Sequence, residues 1–263
     1  MDLKKFKDKK KGGIFFLKKY IKKILFLFGD QLKRVIKYFS GSSYIEYTEI
    51  PEHLRLRDIF FTNLERYYAN EAAEFVRTNC MNAYPFTHKH HLLKYALDYS
   101  KVDGCILEFG VARGKSINFL ASNTSQIVYG FDSFIGLPED WSGGNRFVPK
   151  EYFDFKGQMP LCRPNVKLIK GWFEDTIDDF KKDVNDKIKL IHIDCDLYSS
   201  TFYVLESFKD RLIPGSLIVF DEFYNFHGWR NHEYKALMDF KNKYNIKFTY
   251  EGFTDRRMLI KIT

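Results

Sequence analysis

A turn of small residues follows a short apolar run at residues 104–109 and opens a helical pattern. The turn contains Gly110, Ala112 and Gly114. Such a turn lets a ligand approach the backbone and reach the free amides at a helix N-terminus. Its spacing departs from the G-x-G-x-x-G of dinucleotide-binding turns, and Glu108 just before it would repel phosphate oxygens. The pattern therefore indicates a ligand with a cationic amino or sulfonium group, namely S-adenosylmethionine.

Asp132 ends the next apolar run along the chain. A carboxylate there can accept hydrogen bonds from both ribose hydroxyls, although a loop or helix-capping aspartate has the same pattern. Trp172 and Phe173, just after the third run, could stack on an adenine or belong to the core. The predicted cofactor-binding residues are Glu108, Gly110, Ala112, Arg113, Gly114, Ser116, Asp132, Ser133, Trp172 and Phe173.

Five sequence strings occur in a characteristic order and spacing: LEFGVARGKS, VYGFDSFIGLPEDW, KGWFEDT, IHIDCDLYSST and PGSLIVFDEF. Together they resemble the macrocin O-methyltransferase family over about residues 85–263, and residues 1–80 lie outside the resemblance. Members of that family methylate sugar hydroxyls on macrolides and on bacterial surface glycans. The resemblance implies a class I methyltransferase fold, a bound divalent cation, normally magnesium, and methyl transfer to oxygen.

Three carboxylates end two further apolar runs. Asp194 ends one run, and Asp221 and Glu222 end the next. If the two runs are neighbouring parallel strands, these side chains converge at the carboxyl edge of the sheet, where open α/β sheets bind ligands. Oxygen donors at such a place suit Mg²⁺, while the alternative is that they are helix caps and surface carboxylates. Relatives often carry two aspartates where this chain has Asp221 and Glu222.

Methyl transfer to an alcohol needs activation, because the pKa of a hydroxyl group lies far above 7. A cation bound to the hydroxyl lowers that pKa and aligns the oxygen with the methyl group and sulfur. A nearby carboxylate or imidazole then takes the proton. We expect Asp194 to be this base. His227, in the loop after the last ligand-bearing run, is the second candidate, although a loop histidine is commonly a plain surface residue.

An aromatic and cationic cluster follows in the same loop, and we expect Trp229, Arg230 and His232 to contact the acceptor. A guanidinium beside a sugar-sized pocket suits phosphate, unless Arg230 pairs with Glu233 or solvent. The expected acceptor is therefore a nucleotide-linked sugar of capsule or lipopolysaccharide biosynthesis, such as a heptose. A sugar of a macrolide or other secondary metabolite is the alternative. The insertion at residues 135–165, with Gly143 and Gly144 as hinges, is a predicted lid.

Positioning these residues requires a mostly parallel sheet. After residue 103, short apolar runs alternate with helical patterns, which is typical of βαβ units. The last two runs are separated by a hairpin-sized turn and predict an antiparallel pair on a seven-stranded Rossmann-like sheet. The predicted strands are 104–109, 127–131, 166–169, 188–193, 216–220, 246–250 and 257–262, with a helix at about 232–244. Residues 41–103 form a predicted helical lead-in to a catalytic domain at 104–263.

Positive charge is concentrated at the start of the chain. Residues 1–40 hold 13 of the 42 Lys and Arg side chains and three acids, so the rest is slightly acidic despite a net charge of +8. This distribution excludes a core that binds nucleic acid backbones. Between residues 14 and 39 apolar residues recur at steps of three and four with lysines between them, which predicts a basic amphipathic helix. It would pack on its own domain or a second subunit, or contact a membrane surface.

Composition indicates a soluble globular protein, with 45% hydrophobic and 29% charged residues. Neither a membrane-spanning run nor a signal peptide is recognisable, and the four cysteines lack C-x-x-C spacing. We therefore expect a cytoplasmic, homo-oligomeric enzyme, with the basic segment as a route to peripheral contact with the inner membrane face. A nucleotide-binding oxidoreductase on a similar fold is the alternative, and the missing G-x-G-x-x-G argues against it.

Overall fold

The structure, a computed structural model, describes residues 52–143 and 146–263. The predicted basic helix at 14–39 and the predicted hinge Gly144 lie outside these residues. The chain divides at Arg57, and the compact unit Asp58–Thr263 that follows contains the whole sheet. The predicted lead-in at 41–103 contains, in its described part, two helices and a short strand.

The described chain contains ten strands. They are β1 Tyr84–Pro85, β2 Cys105–Phe109, β3 Val128–Asp132, β4 Trp141–Gly143, β5 Arg146–Val148, β6 Val166–Lys170, β7 Ile188–Ile193, β8 Leu217–Phe220, β9 Phe248–Phe253 and β10 Met258–Ile262. Eight of them form one sheet in the order β1-β9-β10-β8-β7-β2-β3-β6, and β4 and β5 form a separate hairpin.

The sheet is parallel except at β10, which runs antiparallel to both β8 and β9. This confirms the predicted class I methyltransferase architecture with its terminal antiparallel hairpin. The two-residue strand β1, paired parallel with β9, was not predicted because two residues carry no periodicity. Every residue of β2 and β8 is buried, as expected for parallel strands covered on both faces.

The described residues contain six α-helices: α1 Glu52–Asn79, α2 Lys89–Tyr99, α3 Lys115–Ser122, α4 Phe173–Asp183, α5 Tyr198–Phe208 and α6 Glu233–Tyr244. Successive residues of β2 enter two different apolar clusters, Leu107 with Phe109 in one and Ile106 in the other. This alternation places one core on each face of the sheet. None of the helices within the described residues combines the length and apolar character needed to cross a membrane.

Helix α1 is anchored by Phe75, which is 8% exposed. Its ring contacts five aromatic rings at centroid distances of 5.7–6.1 Å: Phe223, Tyr224, Trp229, Tyr234 and Tyr250. Aromatic pairs at these distances contribute stabilisation beyond their buried area. The segment after β8 therefore folds against α1.

The predicted lid contains the β4–β5 hairpin and a 3-10 turn, Lys150–Phe153. Trp141 and Val148, which pair across the hairpin, are both buried in the core on one side of the sheet. Gly143, one predicted hinge, closes β4. The hairpin is thus packed onto the domain by its apolar side chains.

Candidate active site

A cavity of about 670 Å³ lies at the carboxyl edge of β2, β3 and β7, a size typical of small-molecule sites. Eight of the ten predicted cofactor-binding residues line it: Gly110, Ala112, Arg113, Ser116, Asp132, Ser133, Trp172 and Phe173. Lys89, Trp141, Asp194, Asp196 and Glu222 line it as well. The sheet topology thus brings the turn after β2 and the acids after β7 and β8 to one space.

The turn after β2 has a backbone that only glycine fits at its first position. Gly110 has a φ of +90°, and a Cβ there would lie 1.8 Å from the carbonyl oxygen of Asp194. The turn and the segment after β7 are therefore in direct backbone contact. Ala112 also adopts a left-handed conformation, with a φ of +46°. Gly114 precedes α3 at its N-terminus and is not part of the cavity wall.

Asp132 holds this turn in place. Its Oδ2 accepts hydrogen bonds from the amides of Val111 and Ala112, each at 2.8 Å, and its Oδ1 accepts one from Phe134 at 2.7 Å. The side chain is partly exposed in the cavity wall. Carboxylate oxygens have further lone pairs, so Asp132 can hold the turn and still accept a ligand hydroxyl.

Glu108 does not face the cavity, contrary to the prediction that it contacts a cationic ligand. It is fully buried and pairs with His192, its direct neighbour in the β2–β7 register. His192 Nδ1 lies 2.9 Å from Glu108 Oε2, and Ser116 donates to Oε1 at 3.1 Å. Burial raises the pKa of Glu108, since a desolvated carboxylate is costly. The sequence reasoning placed Glu108 near the ligand by adjacency alone, whereas strand pleating directs it into the core.

A lysine ammonium lies between the two aspartates of the predicted metal site. Lys89 Nζ is 2.8 Å from Asp194 Oδ2 and 2.8 Å from Asp221 Oδ1. Arg257 contacts Asp221 from the other side, with Nε 3.0 Å from Oδ1 and Nη2 3.2 Å from Oδ2. Burial lowers the pKa of Lys89, but the two carboxylates outweigh burial and raise it above its ordinary value.

Glu222, the third predicted metal ligand, lines the cavity but pairs with Arg256. Its Oε2 accepts from Arg256 at 3.2 Å, and its backbone amide donates to Glu233. Burial raises the pKa of Glu222 to about 7, against the opposing effect of Arg256 and with help from Asp221. The compact set of donor groups found here is instead His192, Asp194 and Asp221, whose ligand atoms lie within 4.8 Å of one another.

The residues present do not fit the predicted Mg²⁺. Cationic side chains already contact the carboxylates of Asp194 and Asp221 at hydrogen-bond distance. Burial lowers the pKa of His192, but its contacts with Asp221 and Glu108 outweigh burial and raise it to about 9. A protonated imidazole has no lone pair for a metal. The arrangement is therefore one of carboxylates paired with fixed organic cations.

The four loop residues predicted as base and acceptor contacts pack away from the described cavity wall. His227 Nδ1 lies 2.6 Å from the Tyr68 hydroxyl. Trp229 is buried and donates to Glu71 at 3.0 Å, and Arg230 pairs with the same carboxylate at 2.9 Å. His232 packs against Trp141 and Phe226. For His227, Trp229 and Arg230 the reason is their partners on α1, Tyr68 and Glu71, which no local pattern near β8 reveals.

Sequence reasoning missed three residues of the site. Asp196 is buried in the cavity wall in a left-handed conformation, and burial raises its pKa well above the ordinary value. Its D-x-D spacing with Asp194 was a usable signal. His192 could have been found as a polar residue within the apolar stretch that ends β7. Lys89 gave no local signal, because its partners are about 100 residues away.

The sheet order, the glycine turn after β2 and the cavity at the carboxyl edge define the class I methyltransferase fold. Residues 95–251 match the model of one family of this class, Macrocin-O-methyltransferase (TylF). The chain belongs to that family. The match begins within α2, so the whole of α1 lies outside it.

One curated protein and two solved structures are similar to this chain. A Streptomyces olivaceus protein, 8-demethyl-8-(2,3-dimethoxy-alpha-L-rhamnosyl)-tetracenomycin-C 4'-O-methyltransferase, is 29% identical over 179 residues, 59% of this chain. The match spans 65% of that relative's length. The structure of CalS11, calicheamicin methyltransferase, has a TM-score of 0.50 at 19% identity, covering 81% of this chain and 94% of its own, and shares the fold. The O-methyltransferase NovP has a TM-score of 0.49 at 17% identity, covering 78% and 99%.

Proposed function

We propose that this chain transfers a methyl group from S-adenosylmethionine to a hydroxyl group of a sugar. One observation carries the proposal: a single cavity joins the glycine turn after β2 to the Asp194 carboxylate after β7. Donor and acceptor can therefore meet in one cavity, which is the main requirement for direct methyl transfer. Family membership supports the reaction type, and the Streptomyces olivaceus relative is named for methylating a rhamnosyl group.

The cofactor half of the cavity is formed by the turn, the end of β3 and the start of α4. We assign Asp132 and Ser133 to the ribose and Trp172 and Phe173 to the apolar part of the adenosine. Ser116, at the start of α3, lines the same half. When bound, S-adenosylmethionine supplies a methyl group activated by a sulfonium.

The acceptor half is formed by the ends of β7 and β8. Asp194 Oδ2 is held by Lys89, and we assign the uptake of the acceptor's hydroxyl proton to Asp194 Oδ1. His227, the second candidate base, is hydrogen-bonded to the Tyr68 hydroxyl and lies outside the described cavity wall. Trp141 and Phe153 line the same cavity, and we assign them to the acceptor half, where their rings would limit the access of water.

The finer identity of the acceptor depends on charge. Arg230, the residue on which a phosphate-bearing acceptor was predicted, forms an ion pair with Glu71 and stacks on Trp229. The cavity lining includes aromatic rings such as Trp141 and Phe153, which can pack on the apolar face of a sugar ring or on a hydrophobic aglycone. We therefore propose a glycoside of the secondary-metabolite type first, and a nucleotide-linked sugar such as a capsule or lipopolysaccharide heptose second.

The test is product formation by the full chain with S-adenosylmethionine and three acceptor sets: free sugars, nucleotide sugars and glycosides. We expect a mass gain of one CH₂ unit in a sugar-containing acceptor, and no gain with Asp194→Asn, which should still bind the cofactor. Methylation of a non-sugar acceptor in preference to all three sets would contradict the proposal. Preference for nucleotide sugars would reverse the order of the two acceptor classes.

A further inference from the structure

We propose that Lys89 is the resident cation of the acceptor site, which makes the methyl transfer independent of a divalent metal. The chemistry assigned to Lys89 rests on the proposed function, whereas its contacts with Asp194 and Asp221 do not depend on that function. Lys89 is the first residue of α2 and reaches across to carboxylates at the ends of β7 and β8. It lines the cavity with a side chain that is 23% exposed.

Its placement at the start of α2 is electrostatically unfavourable by itself. The N-terminal end of a helix carries partial positive charge, so an ammonium there is disfavoured. The first turn of α2 contains no acidic residue that would offset this. The compensation comes from Asp194 and Asp221, both contacted at 2.8 Å. The two aspartates thus stabilise the Lys89 ammonium at a helix end that by itself disfavours positive charge.

The ammonium takes the position between the carboxylates that a divalent cation would need. Binding Mg²⁺ there would require Lys89 to leave both aspartates, losing two charge-assisted hydrogen bonds in a partly buried place. It would also bring a double positive charge next to Arg257, which contacts both oxygens of Asp221. Both effects disfavour the metal and leave Lys89 as the cation between Asp194 and Asp221.

Lys89 can supply what the metal was expected to supply. An ammonium has three N–H donors, of which two meet Asp194 and Asp221. The third can donate to the acceptor oxygen and hold it beside Asp194. In the transfer, a lone pair of that oxygen forms the bond to the methyl carbon, and the carbon–sulfur bond breaks with its electron pair going to sulfur. The hydroxyl proton passes to Asp194 Oδ1, so charge and atoms balance without a metal.

The test compares the full-length protein with Lys89→Met, which keeps the length of the side chain and removes the charge. Lys94→Met is the matched control, since Lys94 lies on the same helix in an exposed pair with Asp98. Two readouts are used: Mn²⁺ binding measured by electron paramagnetic resonance, and methyl transfer with and without excess EDTA. Calorimetric affinity for S-adenosylmethionine shows whether each variant keeps its cofactor site.

We expect wild type and Lys94→Met to leave Mn²⁺ free and to turn over equally with and without EDTA. Lys89→Met should lose turnover by about 100-fold, the scale of one preorganised donor, while keeping its cofactor affinity. It should also bind Mn²⁺ more tightly than the wild type, because no ammonium then lies between Asp194 and Asp221. Lys89→Arg, which keeps a cation, should retain more turnover than Lys89→Met.

Two results would overturn the inference: Mn²⁺ binding by the wild type, or turnover that EDTA abolishes and Mg²⁺ restores. Undiminished turnover by Lys89→Met would overturn it too. A wild type that methylates no sugar under any condition would refute the proposed function instead. The Mn²⁺ measurement needs no acceptor and would still decide the role of Lys89 at the carboxylates.

Discussion

At the scale of single residues, Asp132 holds the glycine turn and, in the proposed function, also binds the ribose of the cofactor. Three backbone amides already donate to it, two of them from the glycine turn. Hydrogen bonds between backbone amides and a charged acceptor are among the stronger ones in proteins. Asp132 therefore shapes the turn before any ribose hydroxyl reaches it, and a substitution there acts on both.

Replacing Asp132 by alanine should weaken S-adenosylmethionine binding by about 1.5–3 kcal/mol, the cost of losing a charge-assisted hydrogen bond. Isothermal titration calorimetry measures this directly. Asp178→Ala on the exposed face of α4 is the control and should leave affinity unchanged. An Asp132→Ala protein with wild-type affinity would remove Asp132 from the cofactor site.

Glu222 makes the stability of the protein depend on pH. Its pKa rises from an ordinary 4.5 to about 7 in the folded protein, chiefly through burial. The folded state therefore binds the proton more tightly than the unfolded state, and this contribution to stability is lost as pH rises from about 4.5 to about 7.

Glu222→Gln stays neutral at every pH, so it should match the wild type at pH 4.5 and be more stable at pH 8. The gain should be about 1–3 kcal/mol, since each unit of pKa shift corresponds to about 1.4 kcal/mol and Glu222 is partly solvated. Urea unfolding at the two pH values measures it. Equal stability of the two proteins at pH 8 would show that Glu222 ionises at its ordinary pKa.

At the scale of elements, α1 organises the loop that follows β8. Phe75 supplies the apolar contact, while Glu71 receives hydrogen bonds from Trp229 and Arg230. Each contact joins residues far apart in the sequence. Helix α1 thus decides which way the loop side chains point, and it directs Trp229 and Arg230 away from the cavity.

Phe75→Ala should therefore destabilise the domain by about 3–5 kcal/mol, the usual cost of removing a large buried ring. Chemical denaturation monitored by circular dichroism measures the change. Ile59→Ala, on the same helix but 57% exposed, should change stability by less than about 0.5 kcal/mol. Similar effects of the two substitutions would mean that α1 is not anchored through Phe75.

The β4–β5 hairpin should govern the acceptor side of the cavity. Trp141 lines the cavity, and its buried Nε1 has no hydrogen-bond partner among the described residues. An unpaired buried donor is costly, so a ligand oxygen that meets it gains affinity. Trp141→Phe should raise the KM for the acceptor about tenfold and leave that for S-adenosylmethionine unchanged. Steady-state kinetics with each substrate varied in turn separates the two effects, and equal changes would contradict the assignment.

At the scale of the whole molecule, the positive charge concentrated in residues 1–40 raises the question of what this segment contacts. If the segment at 14–39 is an interface helix, deleting 1–40 should lower stability or change the oligomeric state. If it contacts membranes, the shortened protein should remain active and lose binding to anionic vesicles. Analytical ultracentrifugation and vesicle sedimentation of both proteins distinguish the two. A shortened protein unchanged in all of these properties would contradict both roles.

The sequence by itself determined the sheet and half of the site. Buried parallel strands are contiguous apolar runs, and the residues that end them must meet at the carboxyl edge once the strands are neighbours. For that reason the pattern of apolar runs alone places the turn at Gly110, Asp132 and Asp194 together. The apolar runs and the residues that end them are properties of short segments, whereas their meeting requires that the strands pair.

Only the tertiary structure decided the charges around those residues. Lys89 meets Asp194 across 105 positions of sequence, and Arg230 meets Glu71 across 159. Glu108 meets His192 because β2 and β7 pair in one register. Such contacts depend on how whole elements pack, and a local pattern carries no trace of them. The physical reason is that side-chain electrostatics are set by neighbours in space, whereas periodicity records only neighbours in sequence.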